Sequence, residues 1–392
     1  MNRIFYFSIF MFLSMQTFTG QEIIRVDPGT SRGTLTLSDL VESVEYVPLE
    51  TNDDCLMGEI KRSEHVLVSN NYILVGCVTS QSYYLFNRSG KFIAKIGNQG
   101  QGPSDYYRVR SPFAIDEEKK QVILSSSMSI DKQQLKYYDM KGKFLHSVSV
   151  DKGLTEFTHF QFEGKYVVTN PNYPWKKELD PPFNYSIYSK DYKLIKQEIA
   201  TIHYSMTQRG GQSFPVLYCG YLYNGLLHVK NTTLNDTVYS INKNFTFSPK
   251  YIINAGKHAF TTQILSDQEL NRRMLFSRAI IASVFETNKY VLISYMYDRK
   301  WYYQYYDKGL RKSMLFNSSS GIPNDYDGGL DFWPHQQNGN EFIGWYDAYK
   351  FEENENKTKP KGSGNALENL KKLNQKIDSE SNPILVIVKM RQ

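Results

Sequence analysis

Residues 83–93 read Tyr-Tyr-Leu-Phe-Asn-Arg-Ser-Gly-Lys-Phe-Ile, two aromatic and apolar runs on either side of a short polar turn. Alternating residues of this kind bury one face of a strand, and Asn and Gly supply the turn conformations, so the stretch predicts a β-hairpin. Similar stretches recur at intervals of about fifty residues, the last after a longer gap. The further copies are residues 135–145, 185–195, 237–245 and 302–310.

Short apolar runs lie between these hairpins and predict additional strands. Four strands in each repeat of about fifty residues are typical of a propeller blade. Five hairpins and one closing unit therefore predict an all-β fold, a six-bladed β-propeller with four-stranded blades. The additional strands are predicted at residues 72–78, 121–125, 165–169, 226–230 and 290–295.

The two ends of the chain are predicted to form the closing blade, because a closed ring leaves no unpaired sheet edge. Val44–Leu49 and Ile384–Val388 are the strands expected to pair, and the second is continuously apolar. Residues 365–377 form an amphipathic pattern that predicts a helix packed across this blade. Its apolar stripe consists of Leu367, Leu370, Leu373 and Ile377.

The domain organisation follows from these elements. Residues 21–392 are predicted to form a single propeller domain after an N-terminal leader, residues 1–20. Residues 351–364 are charged and contain Gly, and they predict a mobile surface loop. A second helix is predicted over residues 267–281, within the long gap before the fifth hairpin.

The first twenty residues have the pattern of a secretory signal peptide. Arg3 precedes an apolar run over residues 4–15, which is too short to span a membrane, and Gly20 provides a small residue before cleavage. We therefore expect a periplasmic or extracellular protein, soluble after removal of the signal peptide and without a transmembrane segment in the mature chain. No Cys lies near the junction, so a lipid anchor is not indicated.

Composition supports a folded, sheet-rich chain that does not bind nucleic acid. Of 392 residues, 30 are Tyr and 23 are Phe, and aromatic residues fit a pleated, half-buried surface. The net charge of +6 is dispersed in short runs separated by acidic residues. A nucleic-acid site requires clustered Lys and Arg, so the pattern favours a solvated surface instead.

The three cysteines cannot form a complete disulfide framework, because their number is odd. One bridge between Cys55 and Cys77 is conceivable in an oxidising compartment. The apolar run around Cys77 favours a buried free thiol instead. Cys219 and the other two lack a neighbouring Cys or His in the sequence, which argues against a metal site.

Four segments in this order resemble the NHL-like six-bladed β-propeller family of secreted and lipoprotein-type proteins of Bacteroides and its relatives. The resemblance covers nearly the whole mature chain and implies a propeller fold at the cell envelope. It implies no particular reaction, and the chain lacks the lipobox Cys of many relatives. The four segments are residues 46–51, 92–106, 322–334 and 381–389.

Two loops contain residues that are candidates for ligand binding. Residues 97–106 hold three Gly and one Pro, but no helical pattern follows, so a blade-to-blade connector is favoured over a phosphate-binding loop. A second stretch is rich in side-chain oxygens that suit calcium, although Asx turns around Gly328-Gly329 are favoured. This stretch is the preferred ligand-binding surface, with the candidates Asn324, Asp325, Asp327, Asp331, Trp333 and His335.

No catalytic residue is assigned, because the sequence contains no nucleophile elbow and no metalloprotease helix. The favoured function is a binding or scaffold propeller that recognises an envelope protein, a peptide or a glycan. The alternative is a metal-dependent hydrolase or lyase of the lactonase-like propeller type, and a third option is a structural role in an outer-membrane assembly. No cofactor is expected, with calcium at the acidic stretch as the one candidate.

Overall fold

The structure, a computed structural model, is mainly β-strand. It describes residues 21–60, 65–110, 112–129, 132–150, 159–169, 183–199, 219–230, 236–261, 264, 268–274, 276–354, 360–362 and 364–391. In chain order the strands are β1 (Glu22–Arg25), β2 (Val41–Pro48), β3 (Val66–Val68), β4 (Tyr72–Cys77), β5 (Ser82–Asn87), β6 (Phe92–Lys95), β7 (Pro112–Asp116), β8 (Gln121–Ser129), β9 (Lys132–Asp139), β10 (Phe144–Ser149), β11 (His159–Phe162), β12 (Lys165–Thr169), β13 (Phe183–Tyr188), β14 (Leu194–Ile199), β15 (Cys219–Tyr223), β16 (Leu226–Lys230), β17 (Thr237–Ile241), β18 (Phe247–Asn254), β19 (Ile280–Glu286), β20 (Tyr290–Tyr297), β21 (Lys300–Asp307), β22 (Lys312–Leu315), β23 (Gln336–Asn338), β24 (Glu341–Tyr346) and β25 (Ile384–Met390).

The helices are few and short. They are α1 (Leu37–Leu40), α2 (Gln268–Met274), α3 (Tyr349–Glu352), α4 (Gly364–Asn374) and a 3-10 turn at Gly256–His258.

Four of the sheets are separate, four-stranded and antiparallel: β3 to β6, β7 to β10, β11 to β14, and β19 to β22. The fifth sheet has nine strands in the order β1-β18-β17-β16-β15-β23-β24-β25-β2. The fold is therefore an all-β, propeller-like arrangement.

The prediction of six separate four-stranded sheets is wrong, because four sheets are separate and a fifth contains nine strands. The physical reason is a parallel bridge between β15 and β23, at Leu222 and Asn338, which joins two antiparallel runs into one sheet. In addition, β1 pairs in parallel with β18. Sequence periodicity reports the strands of a hairpin but not such contacts between repeats.

The predicted pairing of the two ends of the chain is confirmed. β2 runs antiparallel to β25, with Val44 opposite Val388 and Pro48 opposite Ile384. Asn382, just before β25, is completely buried and fastens this junction. Its amide Nδ2 donates to the carbonyls of Glu50 (2.7 Å) and Cys55 (2.9 Å), and its Oδ1 accepts from the backbone N–H of Met57 (2.8 Å).

The core consists of apolar clusters between sheets. One cluster joins the β3 to β6 sheet to the next through residues such as Leu85 and Tyr138. Similar clusters lie at the following interfaces along the chain. A further cluster packs Trp345 and Leu385 of the last strands against Val75 of the first separate sheet. Sheet faces are thus buried against neighbours around a full circuit.

Residues 97–106 connect two sheets, which confirms the connector interpretation. The ammonium of buried Lys136, on β9, donates to the carbonyls of Pro103 (2.8 Å) and Asp105. The Tyr138 hydroxyl on the same strand donates to the carbonyl of Ser104 at 2.8 Å. The loop is therefore pinned to the sheet that follows it, and its backbone acceptors are satisfied.

The predicted C-terminal helix is present as α4, which packs against β2 with Leu370 and Leu373 buried. The predicted helix over residues 267–281 is shorter, because α2 ends at Met274 and Ile280 already begins β19. The loop predicted over residues 351–364 begins differently, since Phe351 is buried in α3 between Tyr46 and Tyr346. Residues 355–359 and the predicted signal peptide, 1–20, lie outside the described residues.

The first strands of several sheets lie side by side, and β15 and β23 pair in parallel. Tyr221 of β15 contacts Glu286 of β19, Glu286 contacts Gln337 of β23, and the side chain of Gln336 donates to the carbonyl of Val66 on β3. We call the end where these first strands begin the loop end, and the opposite end the turn end. Connections at the turn end have two to five residues, whereas residues 49–65, 96–111 and 316–335 join sheets at the loop end.

Asn382→Ala is expected to lower the free energy of unfolding by at least ~3 kcal/mol, because three buried backbone groups lose their hydrogen-bond partner. Urea denaturation of both proteins measures the difference. Asn374→Ala is the matched control, since Asn374 is exposed at the end of α4 and should change stability by less than ~0.5 kcal/mol. Equal effects of the two substitutions would contradict the assigned role of Asn382.

Candidate functional site

The acidic stretch predicted as a ligand surface is largely buried against the N-terminal part of the chain. Asn324, Asp325 and Asp327 are each at most 2% exposed. The hydrogen bonds between Ile322 and Phe332 close the base of this excursion. Its carboxylates therefore contact protein groups, and each one has its own set of partners.

Asp325 binds the start of α1. Its Oδ1 accepts from the backbone N–H of Ser38 (2.9 Å), and its Oδ2 accepts from the hydroxyls of Thr36 and Ser38 (both 2.8 Å). Lys361 forms an ion pair with Oδ2 at 2.8 Å. Burial acts to raise the pKa of Asp325, but the hydrogen bonds from Lys361, Ser38 and Thr36 outweigh it and lower the pKa to about 2.

Asp327 and Asn324 stabilise the turn at Gly328-Gly329. Asp327 Oδ1 accepts from the backbone N–H of Gly329 at 2.9 Å, and Asn324 Oδ1 accepts from that of Tyr326 at 3.1 Å. These are Asx turns, so that interpretation of the stretch is confirmed. Asp327 Oδ2 accepts from the hydroxyl of Tyr46 on β2 at 2.8 Å, which ties the turn to the closing strand.

Asp331 and Trp333 are also held by the protein. Asp331 Oδ1 accepts from the backbone N–H of Asn324 at 3.0 Å, and its Oδ2 accepts from the Ser318 hydroxyl. The Trp333 indole is 8% exposed and donates to the Ser283 hydroxyl at 3.1 Å. Through these hydrogen bonds, both side chains fix the segment that precedes β23.

His335 differs from the other five candidates because its side chain is exposed. It lies one residue before β23, at the loop end, and its ring stacks on the buried Trp345 with centroids 4.2 Å apart. The residue reaches solvent, but its stacked ring is partly withdrawn from water, and this desolvation together with the charge of Lys350 lowers the pKa of His335. The imidazole is therefore neutral near pH 7 and can donate and accept hydrogen bonds.

Calcium does not fit the acidic stretch well, because each carboxylate there already accepts protein hydrogen bonds. Among the described parts of the chain, no three His, Cys, Asp or Glu side chains lie close enough to hold a metal ion. The cysteines give no metal site either: Cys55, Cys77 and Cys219 are buried free thiols. The conceivable bridge between Cys55 and Cys77 is not formed.

Sequence reasoning missed a charged cluster around Glu286, the last residue of β19. Its side chain is 3% exposed and contacts the ammonium groups of Lys250 and Lys308, each at 2.6 Å. The Tyr251 hydroxyl donates to it at 2.8 Å. Burial acts to raise the pKa of Glu286, but the two lysines outweigh it, so the pKa is lowered and the carboxylate is charged.

The lysines of this cluster come from different sheets, Lys250 from β18 and Lys308 from the turn after β21. A single acidic residue at the end of the apolar run over residues 280–285 was the only signal in the sequence. Gln337, on β23, fixes the backbone of Glu286. Its side chain donates to the carbonyl of Glu286 (2.7 Å) and accepts from the N–H of Glu286 (2.9 Å).

The fold and this geometry can be compared with known proteins. The family model described as "Domain of unknown function (DUF4934)" matches residues 21–389, so the chain belongs to this family. A search of curated proteins finds no match. Among the described residues, no helix is long and apolar enough to cross a membrane.

Two solved structures from Bacteroides are similar. One is a B. fragilis protein named as an exported protein, with a TM-score of 0.66 and 17% identity, covering 95% of this chain and 100% of that one. The other, from B. vulgatus, is a member of the DUF4221 family, with a TM-score of 0.49 and 8% identity, covering 90% and 97%. The first supports the fold; at these identities neither transfers a function.

Asp325→Asn is expected to cost ~2 kcal/mol of stability near neutral pH, because the folded-state pKa of about 2 lies below the ordinary value of 3.8. This contribution is present above pH ~4 and is lost as the pH falls toward 2, so the two proteins should converge in acid. Chemical denaturation at a series of pH values measures it. Asp53→Asn, at an exposed site, should show no such convergence.

Calcium is expected to leave the melting temperature of the protein unchanged to within ~1 °C, since a binding shift requires a site that only the native state offers. Differential scanning fluorimetry with calcium and with a chelator measures this. A calcium-dependent rise that Asp327→Asn abolishes would show that the acidic stretch opens to a cation.

Proposed function

We propose that this chain is an exported propeller that binds a protein, a peptide or a glycan of the cell envelope, as a binding or scaffold module. The contact surface is the loop end. The observation that carries the proposal is the set of exposed large apolar side chains at the loop end, above all the half-exposed indole of Trp301.

Exposed apolar side chains gather on the connections of the loop end. At the turn end, Leu310 is exposed within a turn, and Ile93, Leu145, Leu194 and Ile195 are exposed at the starts of outer strands. Exposed aromatic and aliphatic groups on loops held by a rigid scaffold are typical of interaction surfaces. The loop-end set is Leu56, Val78, Tyr107, Phe276, Trp301 and Tyr349.

Trp301 is the strongest anchor candidate in this set. Its side chain is 48% exposed at the start of β21, whereas Trp333 and Trp345 are buried. The preceding Arg299 lies over the ring of Phe276, with its guanidinium carbon 5.7 Å from the centroid. Aromatic and Arg side chains are enriched among residues that dominate binding energy. His335, the exposed candidate from the sequence, adds a neutral hydrogen-bonding group at the same end.

Export is supported by the signal-peptide pattern of residues 1–20 and by the similar B. fragilis protein, which is named as exported. Cleavage after Gly20 leaves β1 intact, because β1 begins at Glu22 and pairs with β18. Removal of the leader therefore takes no strand away from the sheet.

The nine-stranded sheet contains two runs of strands, β1-β18-β17-β16-β15 and β23-β24-β25-β2, and the arrangement of the sheets is proposed to be NHL-like. The two runs within this sheet meet at a single bridge, and apart from the parallel pair β1 and β18 the strands in each run pair antiparallel. The ring is then closed by β2 and β25. The hydrolase or lyase alternative has no specific observation in its favour among the described side chains.

Trp301→Ser is expected to weaken binding of the protein to its envelope ligand by ~tenfold or more, because an exposed indole at the contact contributes ~1.4 kcal/mol or more. Glycan and peptide arrays with the purified protein identify the ligand. Isothermal titration calorimetry then measures the affinity of each variant without relying on the substituted indole as a reporter.

Leu310→Ser is the matched control, since Leu310 is 70% exposed but lies at the turn end. It should leave the affinity unchanged. Equal losses in both variants, or a loss confined to Leu310→Ser, would contradict a loop-end contact. A failure of arrays and envelope extracts to yield any ligand would reject the binding function itself.

A further inference from the structure

We infer that the turn end carries an oxyanion-binding site formed by Lys250 and Lys308 on the two sides of Glu286. The ligand is a carboxylate, a sulfate or a phosphate, either free or as an acidic group of a larger molecule. This site lies at the opposite end from the proposed loop-end contact and does not depend on it.

The cluster carries more positive charge than negative charge. Two ammonium groups share one carboxylate, with Nζ to Oε distances of 2.6 Å for both lysines. The other nearby acidic group, Glu22, accepts from the Tyr306 hydroxyl at 2.7 Å and lies 3.8 Å from the Arg311 guanidinium. One positive charge is therefore left over in a largely buried cluster, where an unbalanced charge is costly unless an anion compensates it.

The two lysines have more N–H donors than protein acceptors. Each lysine ammonium has three N–H donors. Among the described residues, the ammonium of Lys250 donates to Glu286. The ammonium of Lys308 donates to Glu286 and, at 2.7 Å, to the carbonyl of Thr287. At least one N–H of each lysine thus has no protein acceptor there. An oxyanion can accept from both at once.

Solvent reaches both lysines, while neighbouring groups fix the positions of their ammonium groups. The side chains of Lys250 and Lys308 are 26% and 23% exposed, so solvent reaches both, while Glu286 is covered. Both ammonium nitrogens lie 5.6 Å from the centroid of the Tyr223 ring, which is buried beneath them. The ring and the carboxylate hold the two cations in place before a ligand arrives, which reduces the entropy lost on binding.

His228 is a third titratable group beside the cluster. His228 is completely buried, and its ring stacks on Tyr221 with centroids 4.8 Å apart. Burial is the main cause that lowers the pKa of His228 to about 4, and the charges of Lys250 and Lys308 contribute in the same direction against Glu286. His228 is therefore a neutral neighbour near pH 7 and adds no charge to the cluster.

Thermal unfolding of the full mature chain tests the site. Sodium sulfate, sodium phosphate and sodium acetate are titrated separately, with sodium chloride keeping the ionic strength constant. At least one oxyanion is expected to raise the melting temperature by ~2 °C or more above the chloride reference, because a ligand of the native state stabilises it. A preference for acetate identifies a carboxylate ligand, and a preference for sulfate or phosphate a tetrahedral one.

The shift should disappear in Lys250→Met and in Lys308→Met. It should remain in Lys389→Met, whose lysine forms a 2.9 Å surface pair with Glu42 and is 53% exposed. The inference is overturned if no oxyanion exceeds chloride in the wild-type protein. It is also overturned if the shift persists in both cluster variants or is lost equally in Lys389→Met.

Discussion

Burial of both faces of every sheet against its neighbours is the constraint on which this structure depends. Sheets rich in Tyr, Phe, Val and Ile cannot leave a face in water, and each one packs on the next through an apolar cluster. The last strands then have to meet the first separate sheet. The pairing of β2 with β25 provides this, and Asn382 satisfies the backbone groups where the chain ends converge.

This constraint divides the molecule into two ends with different freedom. At the turn end, short hairpins fix the register of adjacent strands, and Gly90 and Gly142 have positive φ there, so little variation in length is tolerated. The longer connections at the loop end must only reach the next sheet. Exposed side chains on these connections, such as Tyr107, can therefore serve recognition without disturbing the packing.

Polar groups that enter the interfaces obey the same physics. Asp325 and Asp327 are buried, and their oxygens are used to fix α1 and β2 rather than presented to solvent. Around Glu286 the pairing is complete for the carboxylate but not for the two lysines that surround it. A fully satisfied network gives rigidity, whereas an unbalanced one gives a candidate site.

The sequence alone located the second and third strands of most sheets, because period-two alternation and polar turns are local properties, but it did not locate the first strand of each sheet, β1 or β24. It also determined which terminal strands pair, since Val44 and Val388 lie in apolar runs that need a partner. It placed α4 correctly, because Leu370 and Leu373 repeat at helical spacing. The Asx turns at Asn324 and Asp327 follow from equally local chemistry.

Only the tertiary structure decided where side chains from distant segments meet. It turned three of the six candidates, Asp325, Asp327 and Asp331, into hydrogen-bond partners of Thr36, Ser38, Tyr46 and Ser318, and it left His335 exposed. It joined β15 to β23, which no periodicity contains. It also brought Lys250, Glu286 and Lys308 together, because contacts between sheets depend on three-dimensional packing and not on spacing along the chain.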